Sequence, residues 1–149
     1  MQRIAIIQND DHFSLQLEQQ LWNDYNVSLY RDGKSFLKHV GYNQPDVVFI
    51  DEQLPDCKSL DLITRIRRIS RELPVVLHVS TQEIWQRATD MRDDTFELVF
   101  KGSGSIRHTR DKVYTLMLKQ RLRSMRKQKP SLMKQLWNAR LRWFDRTKA

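Results

Sequence analysis

The stretch Val47-Val48-Phe49-Ile50-Asp51-Glu52-Gln53-Leu54-Pro55-Asp56 decides how this chain is read. An apolar run without polar alternation ends on two acids and passes into a turn marked by Leu54-Pro55-Asp56. Such a run is what a strand buried on both faces of a parallel sheet requires, and helices must then cover both faces. Working outward, Ile4 to Ile7, Val27 to Tyr30, Val75 to Val79 (His78 excepted) and Leu98 to Phe100 read as four further strands. Between them Leu17 and Leu21 with Trp22, Phe36 and Leu37 with Val40, Leu60, Ile63, Ile66 and Ile69, and Ile84 with Ala88 and Met91 recur near helical spacing, as amphipathic crossover helices do. Gln44-Pro45 and Leu73-Pro74 stand just before the third and fourth strands, where proline ends a helix and costs no ladder bond. The expectation is an α/β fold: a doubly wound, five-stranded parallel sheet of (βα)5 type, with a C-terminal helical extension.

Composition bounds the function classes. A chain of 149 residues has room for one core and a short appendage. One cysteine, Cys57, excludes an internal disulfide framework, and no Cys and His cluster has zinc-ligand spacing. The N-terminal apolar run is too short for a signal peptide and runs straight into acid, so a cytoplasmic protein is expected. The net charge of +8 is unevenly placed: residues 119–149 hold 11 Lys and Arg against one acid, Asp145, whereas residues 1–118 hold 15 basic and 17 acidic residues. We therefore expect a near-neutral domain over 1–120 and a basic amphipathic extension over 121–149.

In an open parallel sheet, ligands bind beyond the carboxyl ends of the strands. Those ends carry Gln8-Asn9-Asp10-Asp11, Asp51-Glu52, Ser80-Thr81 and Lys101-Gly102. A carboxylate cluster, a hydroxyl and a lysine brought together there suit phosphoryl chemistry. Carboxylates supply oxygen ligands to Mg2+, the ammonium pairs with phosphate oxygens, and a central carboxylate can itself be the nucleophile that becomes an acyl phosphate. Plainer readings stand beside these. Asp51 can be a helix cap or surface acid, Asp10 and Asp11 can cap the first helix, and Ser80 or Thr81 can cap the fourth. His78 reads as a hydrogen-bonded core histidine and Cys57 as a plain loop thiol.

The segment from Val47 to Asp56, the acids after the first strand and Phe100-Lys101 resemble the receiver domain of bacterial two-component response regulators, over roughly residues 2–120. The resemblance implies a flavodoxin-like receiver fold in which Asp51 accepts a phosphoryl group from a histidine kinase or phosphotransfer protein. It also implies that Asp10 and Asp11 hold Mg2+ together with Asp51, that Ser80 or Thr81 contacts the phosphoryl oxygens, and that Lys101 pairs with them. Several positions depart from the family pattern. Gln8 and Asn9 stand where the acidic pair belongs, Val79 where the phosphate-binding hydroxyl belongs and Leu98 where the reporting aromatic belongs; Gly102 replaces the usual proline and Ser59 a turn glycine. A neutral amide pointing inward at Asn9 in place of an acid lowers Mg2+ affinity, and losing the cation removes the main offset to the repulsion between two anions. The alternative is thus a degenerate pseudo-receiver that binds protein partners independently of phosphorylation. Neither reading makes the chain a turnover enzyme.

Val113, Leu116, Met117 and Leu122 indicate a last helix running toward Gln128, with Pro130 expected to interrupt it. A second basic amphipathic segment then carries Leu132, Met133, Leu136, Trp137, Leu141 and Phe144. Through residues 119–149 this tail suits a protein contact (its own body, a homodimer mate or a downstream partner), an anionic membrane surface, or non-specific nucleic acid. About thirty residues are too few for a DNA-reading domain of the usual size, which argues against sequence-specific DNA binding.

Overall fold

The computed structural model describes residues 1–147, and the side chains of all of these except 129–133 and 141–147. In chain order the elements are β1 (Arg3–Ile7), α1 (Asp11–Leu21), β2 (Asn26–Tyr30), α2 (Gly33–Val40), β3 (Val47–Asp51), α3 (Ser59–Ile69), β4 (Val75–Val79), α4 (Gln82–Asp90), β5 (Phe96–Phe100) and α5 (Ser105–Thr147). The strands form one sheet in the order β2-β1-β3-β4-β5, every pair parallel. This is the doubly wound sheet expected from the apolar runs. The order reverses between β1 and β3, so a crevice opens beyond the carboxyl ends of those two strands.

Strand alternation assigns each side chain to a layer. Ile4 and Ile6, Val47 and Phe49, Val76 and Val99 pack with Leu17 and Leu21 of α1 and Val113, Leu116 and Met117 of α5. Their neighbours Ala5 and Ile7, Val48 and Ile50, Val75, Leu77 and Val79 pack with Phe36 and Val40 of α2, Ile63 and Ile66 of α3 and Ala88 of α4. Phe49 is fully buried at the centre of the first layer; truncation to Ala there costs about 3–5 kcal/mol.

Two elements differ from the sequence reading. β5 begins at Phe96, two residues before Leu98, because the acid that breaks the apolar run is neutralised in place. Glu97 is buried and accepts from Arg92 at 2.8 Å and from Lys112 at 3.2 Å. The last helix is not interrupted at Pro130: α5 continues from Ser105 to Thr147. A proline removes one N–H and crowds the carbonyl four residues back, at about 3 kcal/mol, but the flanking Lys, Arg, Gln, Leu and Met residues are strong helix formers. The neighbouring side chains from Arg126 to Gln128 are exposed, where water satisfies a freed carbonyl.

Chain contacts divide the protein into two units, Met1–Met117 and Leu118–Ala149. Among the described residues no helix is long and apolar enough to cross a membrane.

Candidate functional site

The alternation that buries Val47 and Phe49 on the α1/α5 side puts the next odd residue, Asp51, on that side at the carboxyl end of β3. Register does the same for its neighbours: Asp51 lies opposite His78, and His78 opposite Val99. Lys101 extends β5 by one rung, its N–H donating to the Val79 carbonyl at 2.8 Å. The turn beyond it, Gly102-Ser103-Gly104, needs glycine at both ends, since Gly102 and Gly104 have φ of 151° and 80°.

These elements bring Asp51 and Lys101 together. Asp51 is 3% exposed, and its Oδ1 lies 2.6 Å from Lys101 Nζ, while Oδ2 accepts from the Gln53 N–H at 3.2 Å. Burial pushes the Asp51 carboxyl up, but the adjacent His78 and Lys101 and the Gln53 N–H outweigh it and hold the group below its ordinary value. A cleft of about 470 Å³ opens over the pair, lined also by Gln8, Asn9, Asp10, Phe13 and Ser105.

The other residues singled out from sequence are placed differently. Asp10 lines the cleft and is the N-cap of α1, Oδ1 accepting from the N–H groups of His12 at 3.0 Å and Phe13 at 3.1 Å. Asp11 points into solvent and pairs with Arg31 at 2.8 Å. Ser80 and Thr81 do not line the cleft over Asp51; both are engaged by Glu52.

Glu52 is the residue the sequence reading passed over. Its N–H continues the β3 ladder by donating to the His78 carbonyl at 2.9 Å, which turns its side chain toward the loop leaving β4. Oε2 accepts from Ser80 Oγ at 3.0 Å, from the Ser80 N–H and from the Thr81 N–H at 3.3 Å; Oε1 accepts from Thr81 Oγ1 at 3.0 Å. Partial burial raises the Glu52 carboxyl, and these four donors more than reverse it, leaving the group below its ordinary value. Thr81 is also the N-cap of α4, accepting from the Ile84 N–H, so the carboxylate sits at the positive end of that helix. One turn on, Trp85 stacks on Phe100 of β5, ring centroids 4.4 Å apart and planes at 14°. The only signal for Glu52 in the sequence was its place directly after Asp51.

His78 is also more than core filler. It is 2% exposed, stacks on Phe13 at 4.7 Å and approaches Phe49 at 5.6 Å. Its Nδ1 lies 3.6 Å from Asp51 Oδ1, beyond hydrogen-bond length, and neither ring nitrogen has a hydrogen-bond partner. The histidine is buried in the core, as the sequence suggested, without the hydrogen bond expected for it.

The cleft offers Mg2+ few charged donors, Asp51 and Asp10. That ion needs near-octahedral oxygen coordination anchored by carboxylates. Here Asp51 is paired with Lys101, Asp10 gives one oxygen, Oδ1, to the cap of α1 and Asp11 faces away, while Gln8 and Asn9 offer only neutral amides. Among the described residues no three His, Cys, Asp or Glu side chains are grouped to hold a metal. A larger cleft, about 870 Å³, lies between α2 and α3. Its central acid, Asp56, is spent on the N–H groups of Gly33 at 3.0 Å and Lys34 at 2.8 Å.

A five-stranded parallel sheet with a buried acid and a lysine meeting at its carboxyl edge defines the class as an α/β signalling receiver. The chain belongs to the response regulator receiver domain family, whose sequence model matches residues 4–109. Over 90 residues it is 24% identical to the response regulator MprA of Mycolicibacterium vanbaalenii, a match covering 60% of this chain and 39% of that protein. The chain thus spans well under half the length of that relative. A response regulator receiver domain from Clostridium thermocellum superposes with a TM-score of 0.71 at 16% identity, covering 82% of this chain and 98% of the other. A structure described as an adenylate cyclase from Rhodopirellula baltica superposes with a TM-score of 0.68 at 17% identity, covering 85% and 97%. Both are likenesses of fold.

Proposed function

We propose that this receiver works in two-component signalling as a phosphorylation-independent protein-binding module, in which Glu52 engages Ser80 and Thr81 without a phosphoryl group on Asp51. The observation that carries this reading is the Glu52 carboxylate on the hydroxyls and N–H groups of Ser80 and Thr81. The resemblance assigns Ser80 and Thr81 to a phosphoryl oxygen; here they lie outside the cleft over Asp51 and are already engaged by Glu52. The start of α4 is thereby fixed, and with it the Trp85–Phe100 stack on the α4/β5 side, which is the surface offered to a partner. A histidine kinase or phosphotransfer protein, a downstream protein and a cytoplasmic setting are the partners and location proposed with it.

A second reading, phosphoacceptance at Asp51, is favoured by one feature. The ionised Asp51 carboxylate opens to a cleft of about 470 Å³ and has Lys101 at 2.6 Å to pair with an incoming anion. Hydrogen exchange at the Ser80 and Thr81 amides separates the two readings. Both amides are expected to be protected in the untreated chain, unchanged by a small acyl phosphate with Mg2+, and released in Glu52→Ala. Protection that appears only after donor and Mg2+ are added would overturn the first reading.

A further inference from the structure

Because α5 runs unbroken through Pro130, residues before and after that proline share one helical register. On it Leu118, Leu122, Met125, Leu132, Leu136 and Ala139 fall at alternating steps of four and three, with Lys129 the polar member of the series. That spacing is a 3.5-residue repeat, the signature of a seam that packs against another helix. Leu122, Met125 and Leu136 are exposed, so the unit Leu118–Ala149 does not bury the seam itself. The flanking positions carry Lys119, Arg121, Arg126, Arg140 and Arg142 and no acid.

Charge selects the occupant. A second copy is disfavoured: parallel pairing sets Arg121 of one chain against Arg126 of the other, and antiparallel pairing also sets cation against cation. A membrane surface asks for a broad apolar face at a period of 3.6 with the cations segregated. Over 118–129 the seam is narrow, Lys129 falls at one of its positions, and Arg123 and Lys127 extend the charge to the far side; Met133 and Trp137 widen it only beyond Pro130. Nucleic acid would use the cations and leave the leucines without a role. We propose that residues 118–140 dock an acidic amphipathic α-helix of a partner protein, its apolar residues on the Leu/Met seam, its carboxylates on the flanking cations and one carboxylate opposite Lys129.

The test uses the full chain and a labelled synthetic helix with Leu at its seam and Glu on both flanks, read by fluorescence anisotropy at physiological salt. Saturable binding is expected, weakened roughly tenfold or more by Leu122→Ser with Leu136→Ser, and by Arg121→Glu with Arg126→Glu. The charge-reversed variant keeps every apolar residue, so it reports even where the seam variant loses helix. The same peptide with Lys flanks is expected not to bind. No binding to the acidic peptide would overturn the proposal, as would indifference to the seam variant. So would tighter binding to phosphatidylserine vesicles or to duplex DNA, or a seam-dependent dimer in sedimentation equilibrium.

Discussion

Glu52 and Thr81 hold one another across the mouth of the sheet: Thr81 Oγ1 donates to Glu52 Oε1 at 3.0 Å, and the same hydroxyl oxygen caps α4. Loop, helix start and strand end are thereby one hydrogen-bonded unit. Hydrogen bonds to a charged acceptor are worth about 1.5–3 kcal/mol each when fully protected, and less at a partly exposed site. Glu52→Ala is expected to lower unfolding free energy by about 1–3 kcal/mol in urea titration, with the loss of exchange protection confined to the β4–α4 loop and the first turn of α4.

The buried Asp51–Lys101 pair calls for a double-mutant cycle. Lys101→Met leaves an uncompensated carboxylate that is 3% exposed; removing one partner of a fully buried pair costs about 3–5 kcal/mol, and less is expected here because the Lys101 side chain is 27% exposed. Asp51→Asn removes the charge that needed the partner. The double variant is therefore expected to be more stable than Lys101→Met alone, a non-additivity that urea titration of the four proteins measures.

Acid should weaken the same end of the sheet. Asp51 and Glu52 sit below their ordinary values of 3.8 and 4.5 in the folded chain, so the folded state binds fewer protons than the unfolded one. Their contribution is complete above the unfolded values and is lost as pH falls through the folded ones. The stability gap between wild type and Glu52→Ala is expected to be constant from neutral pH down to about pH 5 and to narrow steadily as pH falls further, as thermal unfolding at stepped pH would show.

His78 places two unpartnered ring nitrogens among aromatics. Burying a polar group without a hydrogen bond is costly, and an apolar replacement of similar shape removes the penalty. His78→Phe is expected to leave the melting temperature unchanged or to raise it; a clear fall would show that the 3.6 Å approach to Asp51 is a bond the protein needs.

The fold was legible in the sequence because parallel strands buried on both faces must be written as plain apolar runs, and β3 and β4 are. The start of β5 was hidden by Glu97, whose charge is neutralised by Arg92 and by Lys112, a residue of a distant helix that no local pattern announces. Asp51 and Lys101 could be picked out by their places after apolar runs. Glu52 could not, since its role depends on the register that sets it against the β4–α4 loop. Pro130 misled for a related reason: local propensity marks a break, and the long helix carries through it.

The central claim is that Ser80 and Thr81 are held by the receiver's own Glu52 and not by a phosphoryl group on Asp51, and it is tested most directly by intact-mass measurement after exposure to a small acyl phosphate, with and without Mg2+. The account predicts no phosphoryl adduct under either condition in wild type. A Mg2+-dependent adduct on the wild type that vanishes in Asp51→Asn would contradict it.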